Sequence, residues 1–138
     1  MNTEQEIKVE DSLQSALVKY VIIPSTLLLT IEEGNKLINM MESLYEITGV
    51  QPQLYMNTKS RQTAHVRLRQ IAAYCMRQFT RLTLREIGIM QGFRDHSTVI
   101  HSCKIVEDWM SGTPGYSYEK KLVESIIECY GKKCEVAV

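Results

Sequence analysis

The sequence has no net charge: 16 Lys and Arg are set against 16 Asp and Glu in 138 residues. It has no apolar run of the roughly 20 residues that a membrane-spanning helix needs, so a membrane partner is not expected. Its first residues, MNTEQEIKVED, are acidic and lack the basic and apolar regions of a signal peptide. Cysteine is sparse and scattered, at Cys75, Cys103, Cys129 and Cys134. A chain of this length does not need disulfides, so free thiols in a reducing cytosol are expected. Cys129 and Cys134 are too far apart for a C-x2-C knuckle and have no histidine beside them, which argues against zinc. There is no internal repeat, no long low-complexity segment and no pair of carboxylates at catalytic spacing. An enzyme is therefore not expected, nor a cofactor.

The zero total hides a strong segregation. Residues 59–104 hold nine bases (Lys59, Arg61, Arg67, Arg69, Arg77, Arg81, Arg85, Arg94 and Lys104) against two acids, Glu86 and Asp95. The rest of the chain holds the other seven bases and fourteen acids. All three histidines, His65, His96 and His101, also fall in the basic segment. Such asymmetry fits a polyanion-binding region between acidic flanks, although charge alone does not separate that from a solvated basic face.

The periodicity is helical throughout. Leu13, Ala16, Leu17 and Tyr20 give a short helical rhythm over residues 10–23, ended by Pro24. Thr30 to Glu33 reads as a capping box, with Thr30 capping and Glu33 reaching back. It opens a helix to about Thr48, stopped by Gly49. VQPQLYMNTKSRQ reads as a linker. From about His65, Leu68, Ile71, Ala72, Cys75, Met76 and Phe79 fall at helical spacing. Thr83 to Glu86 is a second capping box, opening a short helix that carries Leu84, Ile87 and Met90. Gly92 permits a sharp turn. Asp95 is a good N-cap for a helix from His96 to about Met110, with Val99, Ile100, Cys103, Val106 and Met110 on its apolar stripe. A last helix is expected over about 117–130, stopped by Gly131. The fold class is all-α, a compact cluster of five or six helices.

Residues 83–110 thus read as a short helix, a glycine turn and a longer helix, the helix-turn-helix pattern. In that unit the first residues of the second helix meet the major groove of DNA. Arg94, Asp95, His96, Ser97 and Thr98 supply the short donors and acceptors that base edges require. His101 and Lys104, further along the same face, can reach phosphate. Two other chemistries fit less well. His96 and His101 are five apart on a helix and point ~140° from each other, too far to share a metal ion. Cys103 and His101 lie on nearly opposite sides, and Cys103 sits on the apolar stripe, so a nucleophile and its base are not assembled.

The run LTLREIGIMQGFRDHSTVIHSCKIVE, residues 82–107, resembles the C-terminal helix-turn-helix domain of the bacterial replication initiator DnaA. The family signature has the form G-G-R-D-H-T/S-T-V-x-H-A-C-R. Gly92, Arg94, Asp95, His96, Ser97, Thr98, Val99, His101 and Cys103 meet it. Upstream, RLRQIAAYCMRQFT resembles the family's R-x-R-Q-x-A helix, and KSR its basic loop. The likeness covers roughly residues 31–110 and implies the Trp-repressor-like architecture of DnaA domain IV. It implies an arginine in the minor groove, for which Arg61 is the nearest basic candidate. It implies base or near-base contacts from Arg94, Asp95, His96 and Ser97. It implies phosphate contacts from Thr98, Lys104, Arg67, Arg69 and the helix start at Thr83 and Leu84. The chain departs from the signature in two places: Phe93 stands for its second glycine, and Ser102-Cys103-Lys104-Ile105 for its A-C-R-K run, with one basic residue lost. If position 93 needs a positive φ, Phe is costly there.

The family is known for an ATPase domain ahead of this one, and the chain has no G-x-x-x-x-G-K-[ST]. The expectation is a free-standing DNA-binding domain over 31–110, with an acidic extension over 1–30 and a loop and packing helix over 111–138. Its expected partner is double-stranded DNA at a DnaA-box-like site, in the cytoplasm at the nucleoid, as a regulator of replication or transcription from a phage or other mobile element. The terminal helices are candidates for a homodimer or a protein partner. The competing class is an interaction or virion protein that reuses the fold without DNA.

Overall fold

The computed structural model describes Leu27 and residues 29–136. Among these are five α-helices, one short 3-10 turn and no strand. The helices are α1 (Ile31–Thr48), α2 (Thr63–Phe79), α3 (Leu84–Met90), α4 (His96–Met110) and α5 (Ser117–Val136), with the 3-10 turn at Pro52–Leu54. The rhythm over residues 10–23 lies outside the described residues.

Local chemistry sets most of these bounds. Thr30 Oγ1 accepts the Glu33 amide at 3.1 Å and starts α1. The second half of that capping box is not made. Glu33 Oε1 instead accepts the Arg81 amide at 2.8 Å, so the carboxylate pins the α2–α3 loop to the start of α1. Gly49 ends α1 in the left-handed region, φ 71, donating to the Tyr45 carbonyl. Asp95 caps α4 as expected.

Two stretches differ from the sequence reading. The supposed linker after α1 is part of the core: Pro52 is buried, and Tyr55 and Met56 are fully so. Helix α5 runs through Gly131 to Val136. Gly131 has no positive φ and remains inside the helix. Downstream of it, Lys133 Nζ meets Glu46 of α1 at 2.7 Å and Cys134 packs against the core, giving the last turn tertiary partners. Tertiary packing of this kind routinely outweighs the cost of one helical glycine.

The most extensive contacts are between α2 and α4 and between α1 and α5, with α3 laid on α4. Leu37, Met40, Met41 and Leu44 of α1, Ile71, Ala72 and Met76 of α2, Val99, Cys103 and Val106 of α4, and Val123 and Ile126 of α5 fill the centre. Phe79 and Tyr130 meet with ring centroids 5.0 Å apart, fastening α2 to α5. Among the described residues no helix is long and apolar enough to cross a membrane.

Candidate nucleic-acid interface

Helix α3 begins with a complete capping box. Thr83 Oγ1 accepts the Glu86 amide at 3.1 Å, and Glu86 Oε1 accepts the Thr83 amide at 2.8 Å. The box satisfies two of the backbone donors at this helix start, the amides of Thr83 and Glu86. The chain then turns within Gln91–Asp95. Gly92 and Phe93 both have positive φ, 82 and 61. The Arg94 amide donates back to the Gly88 carbonyl at 2.8 Å. A Cβ on Gly88 would lie 2.1 Å from the Arg94 carbonyl oxygen, so this crossing requires glycine.

Helix α4 starts in the open. Asp95, His96, Ser97 and Thr98 are all exposed, while Val99 next to them is fully buried. Asp95 Oδ2 accepts the Ser97 amide at 3.1 Å and also the Ser97 hydroxyl. His96 Nδ1 lies 3.5 Å from Asp95 Oδ1. The bonds from Ser97 hold the Asp95 carboxyl below its ordinary range. One turn and two turns beyond Ser97, His101 and Lys104 continue the same exposed face. Ser102, Cys103, Val106 and Trp109 are buried beneath it. Of the apolar stripe expected here, Ile100 and Met110 are only half-buried, and Ser102 and Trp109 take the inward positions instead.

The arginines are arranged differently from the expectation. Arg69 is only 9% exposed. Its guanidinium donates to the carbonyls of Tyr55 at 3.1 Å, Thr58 at 3.5 Å and Ser60 at 2.7 Å. Arg94 donates to Met56 O at 3.3 Å, to Thr58 O at 2.6 Å and to Gln91 O. Neither guanidinium is therefore presented to a phosphate or a base edge in this arrangement. The positive φ at residues 92 and 93 swings the chain so that Arg94 points into the loop. Burial lowers the pKa of both groups, and for Arg69 the neighbouring Arg94 charge lowers it further. Thr58 O is the shared acceptor that bridges them.

Together these contacts make a cleft of about 530 Å³ between the 57–61 loop and the α3–α4 turn. Lys59, Arg61, Arg69 and Arg94 line it, with Asn57, Ser60 and Phe93, and no acid does. Arg61 and Lys59 are exposed at its rim. Lys59 belongs to the basic KSR run but is not among the DNA contacts expected from the sequence. Arg67 is half-exposed, and its Nη1 meets Glu119 of α5 at 3.1 Å. Thr83 is exposed and Leu84 half-buried at the start of α3, one helix away from the cleft. Among the described residues no three His, Cys, Asp or Glu side chains converge on a possible metal position.

A short capped helix, a turn closed over a glycine, and a longer helix with a polar exposed start on a buried stripe define a helix-turn-helix protein. Residues 40–106 match the family model described as the bacterial dnaA protein helix-turn-helix, and this segment is a helix-turn-helix domain of that type. Among curated proteins, the chain is similar to the chromosomal replication initiator protein DnaA of Lachnoclostridium phytofermentans, 44% identical over 64 residues, 46% of this chain and 14% of that protein. It is also similar to the DnaA of Bacteroides thetaiotaomicron, 35% identical over 72 residues, 52% of this chain and 15% of that protein. With the DnaA of Bacteroides fragilis the identity is 26% over 121 residues, 88% of this chain and 24% of that protein. The chain thus spans less than a quarter of the length of each of these relatives. No solved structure matches it.

Proposed function

We propose that the chain binds double-stranded DNA at a site resembling the DnaA box and so regulates replication or transcription in the cytoplasm, where such DNA lies. The observation that carries this reading is one face: the exposed polar start of α4 beside an acid-free cleft lined by four bases. His96, Ser97 and Thr98, with the Asp95 carboxylate that caps them, enter the major groove and meet base edges. His101 and Lys104 follow the backbone. Arg61 and Lys59, at the cleft rim, reach the neighbouring minor groove or its phosphates. Arg69 and Arg94 are positioning residues that hold the loop carrying Lys59 and Arg61. Thr83 and Leu84 offer the α3 start to a phosphate, since a helix N-terminus favours an anion.

The experiment compares a duplex containing a DnaA-type box with a scrambled duplex over a salt series. The expected result is a preference for the box and a steep fall in affinity with salt, because each neutralised phosphate contributes about −0.9 to the logarithmic slope. Two variants separate the roles. His96→Ala is expected to weaken the preference. Lys104→Ala is expected to weaken binding to both duplexes alike and to flatten the slope by about one phosphate. Failure to bind either duplex at low salt would defeat the proposal and favour a protein-interaction role.

A further inference from the structure

Phe93 is the residue the fold has least use for. Its side chain is 71% exposed and belongs neither to the core nor to the apolar residues packed against it. Its φ of 61 is the only positive value at a non-glycine among the described residues. For a bulky L-residue that region is strained. An exposed aromatic ring on a strained backbone thus costs stability twice over and contributes no packing in return. The ring nevertheless stands at a particular place. It lines the basic cleft with Lys59, Arg61 and Arg94, two residues before the Asp95 cap of α4. Neighbouring Gly92 is close to the loop backbone, with its Cβ direction 3.4 Å from Asn57 Cα. The turn is therefore braced against the loop, and the ring has a fixed base.

We propose that Phe93 is a specificity residue: its ring covers the C5 methyl group of a thymine at the edge of the major groove. This rests on the DNA-binding reading above. Thymine is favoured because its methyl is the one apolar feature that base pairs show in that groove. Lys59 and Arg61, exposed at the rim of the cleft, hold the backbone and leave the uncharged ring to face the base edge. Covering half of the ring's exposed surface corresponds to about a ten-fold change in affinity.

The test uses the full chain and a duplex taken from an unbiased selection of bound sequences. Each thymine of the site is replaced singly by deoxyuridine, which removes only the methyl. For the wild-type protein, one such replacement is expected to weaken binding several-fold. Phe93→Gly is expected to weaken binding about ten-fold with the salt slope unchanged, and to make that same replacement silent. Phe93→Leu keeps an apolar side chain and should recover part of the affinity. Phe93→Gly should also raise the melting temperature by a few degrees, since it relieves the positive φ; a ring that served packing would lower it. If the wild type binds the selected duplex but no thymine replacement couples to position 93, this inference is overturned and the DNA-binding reading stands. If the wild type binds no duplex at all, both fall.

Discussion

The close crossing at Gly88 gives a prediction with a calculable size. Gly88→Ala places a methyl carbon 2.1 Å from the Arg94 carbonyl oxygen, a backbone atom that cannot rotate away. The turn must open, and opening it stretches the Arg94 amide bond to the Gly88 carbonyl, now 2.8 Å. Overpacking of this kind costs roughly 1–3 kcal/mol. Losing that bond costs roughly 0.5–1.5 kcal/mol more, because the Gly88 carbonyl keeps the Gln91 amide at 3.1 Å. Alanine returns about 0.5–1 kcal/mol through its better helix propensity. The net expectation is a loss of about 1–3 kcal/mol, read as a lower urea midpoint at unchanged slope. Gly131→Ala is the matched control. It is also helical, but its Cβ direction meets nothing within 4 Å, so only the propensity gain of about 0.5–1 kcal/mol applies. The two alanines should therefore move stability in opposite directions. A neutral or stabilising Gly88→Ala would refute the reasoning, because it would mean that the crossing does not fix the angle between α3 and α4.

Glu119→Gln should release Arg67 from its 3.1 Å partner and raise affinity for box and scrambled duplexes alike, steepening the salt slope by up to about one phosphate; an unchanged slope would show that Arg67 stays off the DNA. Asp95→Asn keeps a good helix cap, since asparagine caps as well as aspartate, so stability at neutral pH should hardly change. The folded-state pKa of Asp95 is depressed, so its charged form stabilises above the ordinary value of 3.8, and that contribution is lost as the pH falls through the folded value. The asparagine variant should accordingly lose less stability on acidification than the wild type, measured by urea midpoints across the acid range. Arg69→Met leaves the Tyr55 and Ser60 carbonyls without this donor, while Thr58 O keeps Arg94; it should destabilise the fold and weaken DNA binding through disorder of the 57–61 loop, seen as faster amide exchange there.

What the sequence made legible was whatever local chemistry decides. Thr30, Gly49, Thr83 and Asp95 cap or stop helices through bonds to residues two to four away, and those bounds are where the periodicity placed them. What it hid depended on distant partners. Nothing in QPQLYMNTK has a period, and the partners of Tyr55 and Met56 are remote in sequence: Arg69 of α2 on the Tyr55 carbonyl, and Gln91 and Arg94 on Met56. Glu33 abandons its own cap because the Arg81 amide, remote in sequence, reaches it. Arg69 was in part readable: it shares a helical row with Ala72, Ala73 and Met76, all buried, and a charge in that row has to find acceptors inside. Arg94 was not, since its direction follows from two consecutive left-handed residues, one of them a phenylalanine. The exposed start of α4 was legible because a polar run over a buried stripe has one way to lie. The cleft beside it was not, because its walls come from segments more than thirty residues apart.

The shared acceptor at Thr58 has a thermodynamic consequence. A basic loop that wraps a duplex usually orders only on contact, and the lost freedom is then subtracted from the affinity, along with a heat-capacity change larger than the buried area explains. Here two guanidiniums, one from α2 and one from the α3–α4 turn, already clamp the 55–60 segment to the start of the reading helix. That ordering is completed when the protein folds. Calorimetry of DNA binding should then show a heat-capacity change no larger than rigid surfaces produce, with the spacing between the loop and α4 set before any duplex arrives.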